Sequence, residues 1–106
     1  MNESEHLLTC LAEEAGEVVQ AACKCLRFGC TDGYPGTGRT TIHDLVTELV
    51  QLQAVVELLE DRRVLPLLTS LEHVKQLKKV KVLEYMQYAR GRGTLTDIRP
   101  SNLDKI

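Results

Sequence analysis

The sequence predicts an all-α fold: a helical bundle of two long antiparallel helices plus a third helix, completed by oligomerisation. Apolar residues recur at three- and four-residue spacing in three segments, the pattern of helices with one buried face. No alternating apolar and polar run is long enough to predict a sheet. The chain has 106 residues with no Trp, one Phe and three Tyr. Its core is therefore expected to be aliphatic and modest, and to be completed in a dimer or tetramer.

The first helix is predicted over residues 3–27, with Ser4 as its N-cap and Gly29 as its C-terminal stop. Its apolar stripe consists of Leu7, Leu8, Leu11, Ala15, Val18, Val19, Ala22 and Leu26. Residues 29–41, "GCTDGYPGTGRTT", hold four of the seven glycines and predict a loop. Thr40 or Thr41 is expected to cap a second helix over 42–61. The apolar side of that helix consists of Leu45, Leu49, Leu52, Val55, Val56 and Leu59.

The third helix is predicted over residues 68–90, after a break at Pro66 and before the glycines at 91 and 93. Its inward residues are predicted to be Leu71, Val74, Leu77 (or, with a shift, Val80 and Val82), Leu83 and Met86. Residues 1–93 are expected to form one helical domain. Residues 94–106 are polar and are expected to form an extended or loosely docked tail.

Composition excludes several classes of function. The net charge is −2, so no general basic surface indicates a nucleic acid polymer as partner. No run of 18 apolar residues occurs, so no membrane span is expected. The first residues, "MNESEHLL", are acidic and lack the positive region of a signal peptide. We expect a soluble, cytoplasmic protein.

The four cysteines, Cys10, Cys23, Cys25 and Cys30, match no common zinc spacing. Cys23 and Cys25 are two residues apart on a helix and so point to nearly opposite sides. Structural thiols are favoured over a metal or redox role, because reduced cytosolic cysteines usually act as small hydrophobic residues.

Acidic residues three apart lie side by side on a helix, and two helices of this chain carry such a pattern. Glu14 and Glu17 form a pair on the first helix, and Glu48 and Gln51 occupy the equivalent positions on the second. Asp44 lies one turn before Glu48. Carboxylates are ligands that Mg²⁺ prefers, with substrate phosphates completing its shell. The alternative is a solvated acidic face, but Glu14, Glu17 and Glu48 abut the apolar stripes, which favours a bound cation.

The loop segment "GYPGTGRT", residues 33–40, differs by one residue from a phosphate-binding P-loop. No strand precedes it, and Arg39 stands where a P-loop needs Lys, so a mobile loop near the ligand is the better interpretation. The histidines, His6, His43 and His73, are scattered and are expected to be surface or capping residues.

The stretches "EHLLTCLAEEAGEVVQAACKCLRFG", "ELVQLQAVVELL" and "KKVKVLEYMQYAR" together resemble the MazG-like family of all-α nucleoside triphosphate pyrophosphohydrolases, in the compact form common in phage genomes. The resemblance covers roughly residues 5–90. The family signature is E-x-x-E on one helix and E-x-x-D on the next. Glu14 and Glu17 match the first pair and Glu48 matches the first acid of the second. Gln51 stands where the family has Asp.

The resemblance implies Mg²⁺ (or Mn²⁺) bound by the acids, with hydrolysis of a nucleoside triphosphate to the monophosphate and pyrophosphate. Glu14, Glu17 and Glu48 would be metal ligands and catalytic residues. Substrate-binding cations and a tyrosine would come from Lys24, Arg27, Lys78, Lys81 and Tyr85. For the lysines, the alternative is a solvated basic helix face. For a phage-encoded protein, the resemblance implies the cytoplasm of the bacterial host.

Gln51 leaves three hypotheses open, and the first is a pyrophosphohydrolase that tolerates the amide. Its carbonyl is a possible Mg²⁺ ligand, but it brings no charge and cannot act as a base. Asp44 could compensate, or the site could hydrolyse more slowly with fewer ions. The second hypothesis is a protein that binds or sequesters a nucleotide without cleaving it. The third is a plain helical interaction protein. Residues available to stack on a base are Phe28, Tyr34, Tyr85 and Tyr88.

Overall fold

The computed structural model describes residues 1–33 and 35–96. It contains the helices α1 (Glu3–Phe28), α2 (Thr41–Asp61) and α3 (Glu72–Gly91), with a 3₁₀ turn at Leu68–Leu71 before α3. Within these residues there is no strand, and the β-type contact is an isolated bridge between Gly33 and Thr40. The predicted all-α class is confirmed, and the three helices lie close to their predicted bounds.

Helix α1 begins two residues earlier than a Ser4 cap allows, so the Ser4 prediction is wrong. The N-cap is Asn2, whose side-chain oxygen accepts the backbone N–H of Glu5 at 2.8 Å. Asn and Ser are both favourable N-cap residues, and here Asn2 is the N-cap because it lies just outside the helix, whereas Ser4 lies within it. The predicted stop at Gly29 is confirmed: its N–H bonds the carbonyl of Cys25, and its φ of 87° favours glycine.

The loop between α1 and α2 folds back onto the start of α2. Thr40 is the N-cap of α2, accepting the backbone N–H of His43, which confirms one of the two predicted caps. The N–H of Thr41 bonds the carbonyl of Asp32 at 2.7 Å, and the Thr41 hydroxyl donates to the carbonyl of Gly29. A Cβ at Gly33 would lie 1.9 Å from the carbonyl oxygen of Arg39, so this closure requires glycine.

Helices α1 and α2 pack against each other and run antiparallel. Gly29 at the end of α1 is bonded to Thr41 at the start of α2. At the opposite end, Arg62, just after α2, forms an ion pair of 3.1 Å with Glu3 in the first turn of α1. These two contacts fix which residues of the two helices face each other.

Burial within the helix pair is partial. The buried apolar residues are Ala21 and Leu59, and Leu59 is fully shielded. Much of the predicted stripes is half-buried, but five of their residues are exposed: Leu8, Ala15, Val19, Leu26 and Leu49. The prediction that these five are buried is wrong for the single chain, because one partner helix covers only a narrow face of each helix.

The chain divides into two compact units, Met1–Leu65 and a second that begins at Pro66. Within the second unit, the element that packs against α3 is the short 3₁₀ turn, which covers little of a 20-residue helix. Six residues predicted to point inward are consequently exposed: Leu71, Val74, Leu77, Val80, Val82 and Leu83. Met86 is half-buried. That inward prediction is wrong for the six exposed residues. The packing of a third helix across the first two stays a prediction.

In the part of the chain that the structure describes, no helix combines the length and apolar character needed to cross a membrane. The predicted tail, 94–106, lies outside the described residues from 97 onward, as does Tyr34 in the loop.

Candidate functional site

Three glutamates from the two long helices converge on one point. Glu14 and Glu17 lie one turn apart on α1, and Glu48 faces them from α2. One carboxylate oxygen from each lies within 4.8 Å of the others. Glu14 and Glu48 are half-buried, whereas Glu17 is exposed. The structure thus brings together the three acids that the sequence singled out.

The register of the helix pair places Gln51 relative to this cluster. Arg62 pairs with Glu3, and Glu48 meets Glu17 fourteen residues further along each helix. Stepping back three residues on α1 and forward three on α2 from that meeting point gives Glu14 and Gln51. The uncharged residue therefore lies at the level of Glu14, with an exposed side chain.

Burial and negative neighbours raise the pKa of two carboxyls in this cluster, those of Glu14 and Glu48. Burial raises the pKa of Glu14, and the charge and hydrogen bonding of Glu17 raise it further. The pKa of Glu48 is raised first by a hydrogen bond with Glu17, then by burial, then by the negative charges of Glu17, Glu14 and Asp44. Each effect disfavours the charged form, so without a cation the site retains a proton to a higher pH than isolated carboxyls would.

Two oxygens of the cluster are buried and find no hydrogen-bond partner among the described residues: Oε2 of Glu14 and Oε2 of Glu48. A buried acceptor without a donor costs free energy, and a carboxylate is the costlier case. A divalent cation between the helices would satisfy both oxygens and remove the repulsion.

A cleft of about 670 Å³ adjoins the cluster. Its volume falls in the range of small-molecule sites, roughly 300–1,000 Å³. Its acidic lining residues include Glu17 and Glu48, and its cationic lining residues are Lys24 and Arg39. The full lining consists of Glu17, Gln20, Ala21, Lys24, Arg39, Thr41, His43, Asp44, Thr47 and Glu48. Acidic and cationic side chains therefore line one cleft.

Asp44, proposed as a substitute for the missing fourth acid, lines the cleft but has another partner. Its Oδ1 lies 2.6 Å from Nη2 of Arg39, and its side chain is 24% exposed. Its charge still acts on Glu48. The three-glutamate cluster does not include it. In this arrangement Asp44 orients Arg39, and its role as a metal ligand stays a prediction.

The predicted substrate-binding residues fall in different places. Lys24 lines the cleft, and its ammonium has no ion-pair partner in residues 1–33 and 35–96. Arg27 instead covers the ring of Phe28, with its guanidinium carbon 4.8 Å from the centroid. Lys78, Lys81 and Tyr85 are exposed on α3, in the second unit. The substrate-binding role of all five residues stays a prediction.

Two cleft residues were not singled out in the sequence, Gln20 and Thr47, and three others were singled out there without a ligand-binding role of their own: Arg39, Thr41 and His43. A signal for some of them exists, because Gln20 and Lys24 continue the face of Glu17 at helical spacing. Arg39 had no such signal. The fold-back of the loop onto α2 places it, and that closure depends on the backbone at Gly33.

Comparison of this chain with protein-family models, with curated proteins and with solved structures found no match. The resemblance to the MazG-like family stays a prediction that rests on Glu14, Glu17, Glu48 and their sequence surroundings.

Proposed function

We propose that this protein is a Mg²⁺-dependent nucleoside triphosphate pyrophosphohydrolase of the MazG-like kind, acting in the cytoplasm. The observation that carries the proposal is the convergence of Glu14, Glu17 and Glu48, with two buried unpartnered oxygens, beside a cleft that also holds cationic side chains. If the acids were only a solvated surface, their carboxylates would lie in water. Such a surface would also need no cationic side chains in an adjoining cleft.

The donor set fits a hard divalent cation. Three carboxylates supply oxygen ligands only, and Mg²⁺ in proteins usually completes its shell with water and phosphate oxygens. Mn²⁺ has similar ligand preferences. When bound, such an ion would lower the pKa of a coordinated water and neutralise phosphate charge.

The cationic end of the cleft would hold the triphosphate. Lys24 presents an ammonium without an ion-pair partner among the described residues, and Arg39 presents a guanidinium that its contact with Asp44 keeps in place. Arg is suited to bidentate contact with phosphate, and Lys acts as a point charge. Together these two side chains would orient the triphosphate, and the cation held by the three glutamates would neutralise its remaining negative charge.

In the proposed reaction a water oxygen attacks a phosphorus of the α–β anhydride. The bond from that phosphorus to the bridging oxygen breaks, and its electron pair leaves with the departing phosphate group. The attacking water loses its proton to a carboxylate. One of the three clustered glutamates would accept it, since carboxylates are the bases that this part of the cleft presents.

The direct test of the function is to incubate purified protein with each ribo- and deoxynucleoside triphosphate and Mg²⁺, and to identify the products by phosphorus NMR. Monophosphate and pyrophosphate are expected from at least one of them, and Glu17→Gln is expected to remove the activity. The matched control is Glu57→Gln, an exposed acid on α2 that does not line the cleft. Folded protein that yields no pyrophosphate from any substrate refutes the proposal.

A second candidate function is nucleotide binding without cleavage. It is favoured by Gln51, an amide at the level of Glu14, where a fourth carboxylate would complete two facing pairs. This hypothesis expects a nucleotide with Mg²⁺ to raise the melting temperature and to be recovered intact. It also expects Gln51→Asp to confer hydrolysis.

We also propose that the chain works as a homodimer or homotetramer. Large apolar side chains are exposed along both described units, among them Leu26, Leu49, Leu77 and Leu83. Association of copies would bury such side chains, which a monomer leaves in water. Light scattering coupled to gel filtration gives the mass, and a monomer at micromolar concentration would contradict the proposal.

A further inference from the structure

A second, smaller pocket opens from the cationic end of the cleft. It has a volume of about 210 Å³ and is lined by Lys24, Phe28, Asp32, Gly33, Thr41 and Asp44. Three of these residues also line the larger cleft: Lys24, Thr41 and Asp44. The two spaces therefore share a wall, and a ligand held by phosphates at Lys24 would have its other end at this pocket.

The pocket offers an aromatic surface. Phe28 is the last residue of α1, and its side chain is 53% exposed. The guanidinium of Arg27 lies over the ring at 4.8 Å from its centroid. Bases stack readily on aromatic rings and on guanidinium planes. The volume is below the roughly 300–1,000 Å³ of sites for whole drug-sized molecules and suits a single planar ring system.

Asp32 supplies a fixed hydrogen-bond acceptor at the same pocket. Its backbone is anchored on both sides, since its N–H donates to Gly29 at 3.4 Å and its carbonyl accepts from Thr41 at 2.7 Å. Its carboxylate has no hydrogen-bond or ion-pair partner among the residues that the structure describes. The backbone is thus held while the acceptor stays available.

We propose that the smaller pocket binds the base of the nucleotide, stacked at Phe28, and that Asp32 selects guanine. This inference rests on the proposed function of the adjoining cleft. A carboxylate has two acceptor oxygens and no donor. Guanine presents two adjacent N–H donors on one edge and so pairs with both oxygens. Adenine and cytosine pair one donor with a ring acceptor, and uracil and thymine flank one donor with carbonyls, so each of these sets an acceptor against the carboxylate.

The test is calorimetric titration at fixed Mg²⁺ with inorganic triphosphate and with the α,β-methylene analogues of GTP, ITP and ATP. The base of ITP lacks the exocyclic amino group of guanine but keeps the ring N–H. We expect the GTP analogue to bind roughly 10-fold or more tightly than the ITP and ATP analogues, the discrimination typical of one bidentate base contact.

Two variants separate the pocket's roles. Asp32→Asn replaces one acceptor by a donor, so it is expected to abolish the preference for the GTP analogue and to improve the relative affinity of the ATP analogue. Phe28→Leu is expected to weaken all three analogues by a similar factor while leaving inorganic triphosphate unchanged. Asp61→Asn, an exposed acid at the other end of α2, is the matched control and is expected to change nothing.

The outcomes separate this inference from the function on which it rests. If inorganic triphosphate binds with Mg²⁺ but the three nucleotide analogues bind equally, or if Asp32→Asn leaves their ranking unchanged, the guanine subsite is refuted and the phosphate site stands. If inorganic triphosphate and all the analogues fail to bind to folded protein, both are refuted.

Discussion

Replacing Glu48 by Gln is expected to stabilise the protein without metal and to weaken its response to Mg²⁺. In the metal-free protein Glu48 is crowded by Glu17 and Glu14, and its Oε2 is buried without a partner. A neutral amide of nearly the same shape removes the repulsion and supplies a donor to the neighbouring carboxylates. Glu48 therefore lowers stability when no metal is bound, and it is a ligand when Mg²⁺ is bound.

The pH dependence follows from the direction of the shift. The pKa of Glu48 is raised in the folded state above its ordinary value of 4.5, first by its hydrogen bond with Glu17. Between that value and the raised one, the folded state binds more protons than the unfolded state, so stability falls as pH rises. The metal-free Glu48→Gln variant is therefore expected to melt above the wild type at about pH 7, with the difference shrinking as the pH approaches about 4.

The metal response has a calculable size. A cation that binds only the folded state at about 100 times its dissociation constant adds about 2.7 kcal/mol of stability. For a domain of 60–100 residues, each kcal/mol moves the melting temperature by about 4–8 °C, which gives roughly 10–20 °C for the wild type. Removing one of three charged ligands is expected to move the Mg²⁺ midpoint upward by at least about 10-fold.

The assay is thermal unfolding followed by circular dichroism, with and without Mg²⁺, at several pH values. Glu57→Gln, an exposed acid on the same helix, controls for the change in net charge and is expected to behave as the wild type. A Glu48→Gln variant that is less stable than the wild type without metal at about pH 7 refutes the repulsion argument. One that keeps the full Mg²⁺ response refutes the ligand assignment.

Three further predictions test other parts of the structure. Gln51→Asp is expected to tighten Mg²⁺ binding and to raise or confer hydrolysis, measured by calorimetry and pyrophosphate release; unchanged values for both would show that position 51 is not the missing ligand. Leu59→Ala is expected to cost about 2–5 kcal/mol in urea unfolding, because its side chain is fully buried, while Leu58→Ala, at 46% exposure, should cost clearly less; equal losses would contradict the burial. Gly33→Ala is expected to cost about 1–3 kcal/mol and to weaken triphosphate binding, because its Cβ collides with the carbonyl of Arg39; an unchanged affinity would mean that Arg39 does not hold phosphate.

The helices were predictable because local signals decide where they begin and end. Gly29 is suited to the positive φ that stops α1, Thr40 offers a hydroxyl for the free N–H groups of α2, and Pro66 interrupts the chain before α3. The wrong cap at Ser4 shows the limit of such signals. Two competent residues, Asn2 and Ser4, stand near the same helix end, and sequence alone does not rank them.

The acidic half of the site was also predictable, since i, i+3 spacing and an antiparallel pair suffice to bring Glu14, Glu17 and Glu48 together. The basic half was predictable only in part, because Lys24 follows from the sequence and Arg39 does not. Arg39 reaches the cleft through a loop whose closure depends on backbone bonds between positions distant in sequence. The apolar residues of α3 failed for a different reason: periodicity indicates which face is apolar, and it does not indicate what covers that face.

The most direct measurement is a crystal structure of the protein soaked with Mn²⁺ and an α,β-methylene nucleoside triphosphate, with the manganese located by its anomalous scattering. We expect an anomalous peak between α1 and α2, roughly 2.0–2.2 Å from carboxylate oxygens of Glu14, Glu17 and Glu48. The phosphates are expected to be directed toward Lys24 and Arg39. The same crystal structure would show whether Gln51 or Asp44 turns toward the metal. Full nucleotide density with no peak among the three glutamates would contradict the central claim.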